Sequence, residues 1–320
     1  MSPWQQILRT NIRSLPHLYD FLELQPSQRK KLTNIKGFGI NIPLRLAKKM
    51  DKGSVTDPLF LQFVPLIKEE ARSSCFTKDP VEDEAFREEP KLLIKYSGRA
   101  LLLTASACAM HCRYCFRRHF AYDKERGYAA ELRKIADDSS LKEVILSGGD
   151  PLSLTNDALE GLLSQIEAMP HIRRLRFHSR FLMGIPERID EGFLALLARS
   201  KKQVYFVIHS NHARELDEEV IAAVHSLQKL GVVVLNQAVL LKGVNDSVEA
   251  LEALMESCID VGIIPYYLHQ LDRVEGAMHF EVEQAVGREL MKELRGRTSG
   301  FGQFRYVEEI PHQRSKTALF

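Results

Sequence analysis

Cys108, Cys112 and Cys115 stand in the run Ala107-Cys108-Ala109-Met110-His111-Cys112-Arg113-Tyr114-Cys115, and this C-x3-C-x2-C spacing constrains the chain more than any other feature. A tight loop with these offsets turns three thiolates toward one point, and thiolates are soft ligands that suit an iron–sulfur cluster or zinc. A cubane 4Fe–4S cluster normally takes four thiolates, so three leave one iron open to a further ligand. A structural zinc loop is the alternative. It needs a fourth ligand, for which His111 and His119 are near in sequence. The loop follows an apolar strand, and roughly thirty residues on a second strand runs into Ser147-Gly148-Gly149-Asp150-Pro151.

Composition excludes several classes. A chain of 320 residues, 45% hydrophobic and 27% charged, is ordinary for one large or two modest globular domains. A net charge of +2 gives no global pull toward nucleic acid. No apolar run approaches the ~20 residues needed to span a bilayer, and Met1 to Asp20 lacks a signal-peptide core. The expectation is a cytoplasmic protein with no membrane partner and no direct nucleic-acid partner. Its five cysteines suit a reducing compartment. Cys75 and Cys258 stand alone and read as small buried apolar residues, with a surface position open for Cys75.

Residues 1–95 read as a mostly helical, irregular lead-in, with helices expected at Trp4–Leu15, Leu44–Met50 and Leu59–Glu70 and an acidic, loop-like stretch from Lys78 to Pro90. From about Leu92 short apolar strands alternate with amphipathic helices, the sign of a parallel sheet. Strands are expected at Ala100–Thr104, Glu143–Ser147, Arg174–His178, Val204–His209, Val232–Val239 and Ile263–Leu268. Helices are expected at Ala129–Asp138, Asp157–Ala168, Glu187–Ala198, Asp217–Leu230, Ser247–Val261 and Glu281–Leu294. Sites in parallel α/β folds form at the carboxyl ends of strands. Here the cysteine loop, Gly148-Gly149-Asp150, His178-Ser179-Arg180, His209-Ser210-Asn211-His212 and His269-Gln270-Leu271-Asp272 fall at such ends, and Asn236, Gln237 and Lys242 lie in or after the fifth strand.

The cysteine spacing, the aromatic Tyr114 before the last cysteine and the Gly-rich turn at Ser147–Pro151 resemble the radical S-adenosylmethionine (SAM) superfamily. The resemblance implies an α/β fold built as a partial (β/α)6 barrel. It implies a 4Fe–4S cluster on Cys108, Cys112 and Cys115, with SAM on the open iron and its amino group on the Gly148-Gly149-Asp150 edge. His178, Arg180 and Gln237 are the further cofactor contacts expected on that rim. Within the superfamily, Tyr96-Ser97-Gly98-Arg99, Arg117-Arg118, Leu146–Leu152, Gly243-Val244-Asn245-Asp246, Pro265-Tyr266-Tyr267 and Thr298-Ser299-Gly300 are similar to the lysine 2,3-aminomutase family, from about Tyr96 to Lys316. Residues 96–290 then form the barrel, and 291–320 a C-terminal segment.

That family also uses pyridoxal 5′-phosphate (PLP). The resemblance places its imine-forming lysine at Lys316, its phosphate-binding arginine at Arg99, and Lys95 and Tyr96 as neighbours. It places the substrate carboxylate on Arg117 and the distal ammonium on Asp272 and Glu309. Charge supports the last assignment, because lysine needs a cation at one end and carboxylates at the other, whereas glutamate does not. Where the family carries glycines before the lysine, this chain has His312, Gln313, Arg314 and Ser315.

The implied reaction moves the α-amino group of (S)-lysine from C2 to C3, giving (R)-β-lysine. A flavodoxin-type protein is the implied electron donor. The chain is similar to the short form of the family, which serves modification of elongation factor P through a ligase related to lysyl-tRNA synthetase. Longer members bind zinc through cysteines beyond the PLP lysine and one at the position of Ser247, so no zinc site is expected here. A glutamate or arginine aminomutase, a radical SAM maturase without PLP, and a zinc-stabilised interaction protein are the competing readings.

Overall fold

The computed structural model describes residues 2–320. Its strands are β1 (Arg87–Glu89), β2 (Leu92–Tyr96), β3 (Arg99–Ala105), β4 (Glu143–Gly148), β5 (Arg174–Ser179), β6 (Gln203–Ile208), β7 (Val233–Val239), β8 (Ile264–His269), β9 (Arg305–Glu308) and β10 (Thr317–Ala318). They lie side by side in chain order in one sheet with β1 and β10 at its edges. β3 to β9 run parallel, while β1, β2 and β10 run antiparallel to their neighbours. The result is an open, partial barrel.

All six strands expected from apolar patterning are present, as β3 to β8, each within one residue of its expected ends. Four of the helices between them start on side-chain caps that satisfy first-turn N–H groups. Thr155, Asp190, Asp217 and Ser247 accept from the backbone N–H of Ala158, Phe193, Val220 and Ala250. Ser247 therefore serves here as a helix cap.

Three expected helices are shorter than their apolar spacing suggests. The first runs only Pro3–Arg9 and a second starts at Leu15, because Asn11 and Ile12 between them are drawn out to pair with Asn41 and Ile42. Pro65 lacks the N–H that would carry Pro58–Phe63 onward, and the chain resumes as a 3-10 turn at Ile67–Glu70. The Glu187–Ala198 helix begins at Glu191, where Asp190 caps it, after a 3-10 turn at Pro186–Arg188.

Lead-in residues Trp4, Ile12, Leu18, Ile42, Phe60 and Phe63 share one apolar core with Leu146, Phe177 and Phe181 of the barrel. The lead-in also holds the cysteine loop, which contains neither helix nor strand. Asn11 Nδ2 donates to Ala109 O at 2.7 Å, Asn41 O accepts from His111 N at 3.0 Å, and Gln62 O accepts from Arg113 N at 2.8 Å. Arg113 is fully buried and grips both oxygens of Glu69, through Nε at 2.8 Å and Nη2 at 2.7 Å. Arg118 Nη2 reaches the same carboxylate at 2.8 Å. Both guanidinium groups lie over the Phe38 ring at 4.6 Å. Of the isolated cysteines, Cys258 is buried and Cys75 is exposed.

Removing one member of a buried ion cluster leaves the others desolvated and unpaired, at about 3–5 kcal/mol. Glu69→Gln is therefore expected to lower thermal stability by an amount of that order. It should also reduce the iron and sulfide retained after reconstitution, measured by melting and by chemical iron and sulfide assay. A variant that melts with the wild type and keeps its full iron content would contradict the clamp.

Candidate active site

Inside the open barrel lies a cavity of about 630 Å³, within the range of small-molecule sites. Its wall includes every residue singled out from sequence: Cys108, Cys112, Cys115, Gly148, Gly149, Asp150, His178, Arg180 and Gln237, and also Tyr96, Arg99, Arg117, Asp272, Glu309 and Lys316.

At one end stand the three thiols, and burial pushes each above its ordinary value. Against their loop lies the turn after β4. A Cβ on Gly148 would come 2.5 Å from Ala105 O, and one on Gly149 would come 2.4 Å from Ala107 O, while Gly148 itself has φ +121°. Only glycine permits this contact. It is fastened by Gly149 N donating to Ala105 O at 2.6 Å and Asp150 N donating to Ala107 O at 2.9 Å. With those N–H groups committed, carbonyl oxygens are what this edge offers a ligand, and they suit an amino group.

The Asp150 carboxylate turns to the end of β5. It accepts from Ser179 Oγ at 2.9 Å, Arg180 N at 2.8 Å and Leu152 N at 3.0 Å. Burial raises its pKa to about 6 against those bonds. Arg180 Nη2 is held by Glu215 and by Gln62, each at 2.7 Å. Both residues shape the wall with charges that already have partners. Asn236, in the middle of β7, is also structural: it exchanges two hydrogen bonds with the Ser210 backbone.

At the other end the edges of the sheet meet across the opening of the barrel. Tyr96 OH, from β2, donates to Glu309 Oε1 at 2.7 Å, just beyond β9. Lys316 Nζ rests on Glu309 Oε2. Burial opposes ionisation of Glu309, but Lys316 beside it and the hydrogen bonds from Lys316 and Tyr96 carry its carboxyl below the usual range. For Asp272, burial raises the pKa to about 7. Lys316 and Lys95 lower it, Glu309 and Asp83 raise it, and its side chain accepts no hydrogen bond that would offset the loss of water. Arg99 lies over the Tyr96 ring at 4.8 Å. Arg117 Nε donates to Asp83 Oδ2 at 2.7 Å, and Nη1 lies 3.4 Å from Ser147 Oγ.

Between the ends, His178, His209 and His269 line the cavity, each with a buried Nε2 that has no protein partner. Burial, with cationic neighbours, holds all three far below the usual histidine range, His209 at about 3. Neutral imidazoles with free nitrogens inside a cavity point to a polar ligand. His178 was expected as a cofactor contact, whereas His209 and His269 were placed on the same rim without a role. Their only signal was position at a strand end. Asp83 lies in the stretch read as an acidic loop.

These features fit the implied groups: a three-thiol loop beside a glycine edge, unpartnered imidazoles, a lysine amine inside the cavity, and Arg99 facing it. Among the described residues no three His, Cys, Asp or Glu side chains are gathered closely enough to chelate a single ion. The fit to a cluster therefore rests on the loop and on the room beside it. Among those residues, too, no helix is long and apolar enough to cross a membrane.

Residues 102–256 match the model of the Radical SAM superfamily. The chain is 43% identical over 288 residues to "L-lysine 2,3-aminomutase" of Escherichia coli, covering 89% of this chain and 84% of that protein. It is 38% identical to the Haemophilus influenzae protein of the same name, covering 98% and 94%. The Clostridium subterminale protein of that name is 29% identical, covering 99% and 77%. Among solved structures, native anSMEcpe with bound AdoMet and Kp18Cys peptide overlays with TM-score 0.47 at 12% identity, covering 62% of this chain and 58% of its own. A radical SAM methyltransferase from Sphaerobacter thermophilus gives 0.46 at 20%, covering 68% of each. Overlays at that level carry no argument about the site.

The unpaired Asp272 carries a stability prediction. Its carboxyl binds a proton more tightly when folded, at about 7 against an ordinary 3.8, so this group makes the folded state lose stability as pH rises through that interval. Asp272→Asn removes the effect. The ligand-free variant is expected to melt above the wild type at pH 8 and level with it at pH 4, by differential scanning fluorimetry. A variant that melts lower at pH 8 would contradict an unpaired carboxylate.

Proposed function

The chain belongs to the L-lysine 2,3-aminomutase family of radical SAM isomerases, and from that premise we propose that it moves the α-amino group of (S)-lysine from C2 to C3, giving (R)-β-lysine, with PLP as second cofactor. The observation that carries this reading is one cavity with three cysteines at one end and Lys316 at the other, with Arg117 facing it and with Asp272 and Glu309 beside the lysine.

When bound, the cluster and SAM supply hydrogen-atom abstraction from C3, and PLP supplies the carbonyl carbon that holds the migrating nitrogen. The chain's own residues do the rest. Cys108, Cys112 and Cys115 hold the cluster, and the carbonyls of the Gly148-Gly149 edge take the SAM amino group. Gln237 and His178 add polar contacts from the rim. Arg99 offers the counter-charge for a phosphate, with Tyr96 beneath it. The Nη edge of Arg117 takes the substrate carboxylate, since Nε is engaged by Asp83. Asp272, lacking a hydrogen bond, takes the distal ammonium. Glu309 stands beside the cavity as the second carboxylate, with Lys316 on its Oε2, and would share the ammonium with Asp272. Two charged ends fixed in this way set C3 before the abstracting group, and a barrel lined by neutral imidazoles keeps stray donors few.

The product's destination is proposed on the short-form resemblance alone: attachment to elongation factor P in the cytoplasm, by a ligase related to lysyl-tRNA synthetase, with a flavodoxin-type donor reducing the cluster. Intact-mass analysis of that factor from a strain lacking the gene is expected to show loss of one β-lysyl increment. An unchanged mass would remove this role while leaving the isomerase reading standing.

The isomerase reading is tested by anaerobic reconstitution with iron, sulfide, PLP, SAM and L-lysine, followed by chromatography. β-Lysine and 5′-deoxyadenosine are expected. Lys316→Ala should abolish β-lysine and the visible absorption of the lysine-bound coenzyme while leaving the iron content intact. Colourless protein with stoichiometric zinc, or SAM cleavage with no coenzyme band and no β-lysine, would overturn the proposal.

A further inference from the structure

Asp83 belongs to no barrel element. It opens a 3-10 turn, Asp83–Phe86, in the lead-in, yet it is 1% exposed and faces the cavity. Its two oxygens serve two different cations. Oδ2 accepts from Arg117 Nε at 2.7 Å. Oδ1 lies 2.8 Å from Lys95 Nζ, an ion pair. Lys95 Nζ in turn donates to Val81 O at 2.7 Å and stands 3.8 Å from Glu309 Oε1. Charges thus alternate along the wall from Arg117 through Asp83, Lys95 and Glu309 to Lys316.

A guanidinium is planar and offers carboxylates a fixed fork of N–H groups. Holding it by Nε fixes the plane and leaves the terminal Nη edge for a ligand. The Phe116 ring, 4.7 Å from Arg117 Cζ, supports the same plane from one face. With Asp83 between Arg117 and Lys95, the three side chains carry one net positive charge, which matches one carboxylate.

Resting on the reading that Arg117 takes the substrate carboxylate, we propose that Asp83 is the positioning residue of that clamp, presenting the Nη edge of Arg117 to the cavity and setting the charge there for a single carboxylate. It acts through Arg117, so its effect is confined to ligands that carry a carboxylate.

The test is equilibrium dialysis on reconstituted holoenzyme, with L-lysine and with 1,5-diaminopentane, which lacks only the carboxylate. Asp83→Asn is expected to weaken L-lysine by about tenfold or more, as loss of a partner from a buried charge pair does. Diamine affinity should stay within about twofold. In an Arg117→Ala background the same substitution should add nothing, because residues acting through one another are not additive. Equal weakening of both ligands, a full added factor on top of Arg117→Ala, or no change for L-lysine would overturn the proposal. If Asp83→Asn fails to load its cofactors, Asp83→Glu carries the test. It shifts Arg117 by one methylene and should weaken L-lysine severalfold and the diamine not at all; any other pattern overturns the proposal. Unchanged L-lysine affinity in Arg117→Ala overturns the clamp itself, whereas a weakened Arg117→Ala beside a normal Asp83→Asn overturns the role of Asp83 alone.

Discussion

The site depends on a carboxylate that never touches it. Glu69 sits between Arg113 and Arg118 out of contact with water, and Phe38 covers both guanidinium planes. The cysteine loop has no helix or strand of its own, so its shape is set by what its backbone and these two arginines bind. Much of that comes from residues 11 to 69, and Asp150 and Asn211 of the barrel hold Ala107 and Tyr114. Buried ion clusters add little net stability compared with apolar packing, but they tolerate only one arrangement. That property suits a loop whose three thiols must meet a rigid inorganic body.

A second constraint runs through the cavity: most charges on its wall are already matched, and the exceptions mark where a ligand belongs. Asp150 is saturated by protein partners, and Arg180 is held through Nη2 by Gln62 and Glu215, though its buried Nε has no partner. Asp272 carries the cost of desolvation without a hydrogen bond, the Nη edge of Arg117 has one long contact, and three imidazole nitrogens have none. These groups line one cavity of a size suited to a small-molecule ligand.

The barrel was legible in the sequence because its strands are apolar runs separated by helices of regular period, and both periodicities are local. β3 to β8 fall where patterning puts them. The cysteine loop and the Gly148-Gly149 turn were legible as motifs, whereas Lys316 was reached only through the family resemblance. Glycine at 148 and 149 has a reason that spacing alone did not reveal, the approach of two loop backbones. β1, β2, β9 and β10 were not expected: β1, β9 and β10 have two to four residues, too few for a period to register, and β2 folds back antiparallel on β3 across the Ser97-Gly98 turn. Asp83 and Glu69 escaped because nothing local separates a structural acid from a solvated one. Their partners lie 34 and 44 residues along the chain, and only the fold brings them together.

If Arg117 at one end and Asp272 with Glu309 at the other fix the substrate as described, C3 is the carbon presented to the abstracting group. The most direct measurement is turnover of L-lysine deuterated at C3 alone, with mass spectrometry of the 5′-deoxyadenosine released. Deuterium is expected in that 5′-deoxyadenosine and in the recovered β-lysine. Deuterium that stays wholly in the amino acid, while C4-labelled lysine passes its label to 5′-deoxyadenosine, would contradict the placement of the two charge clamps.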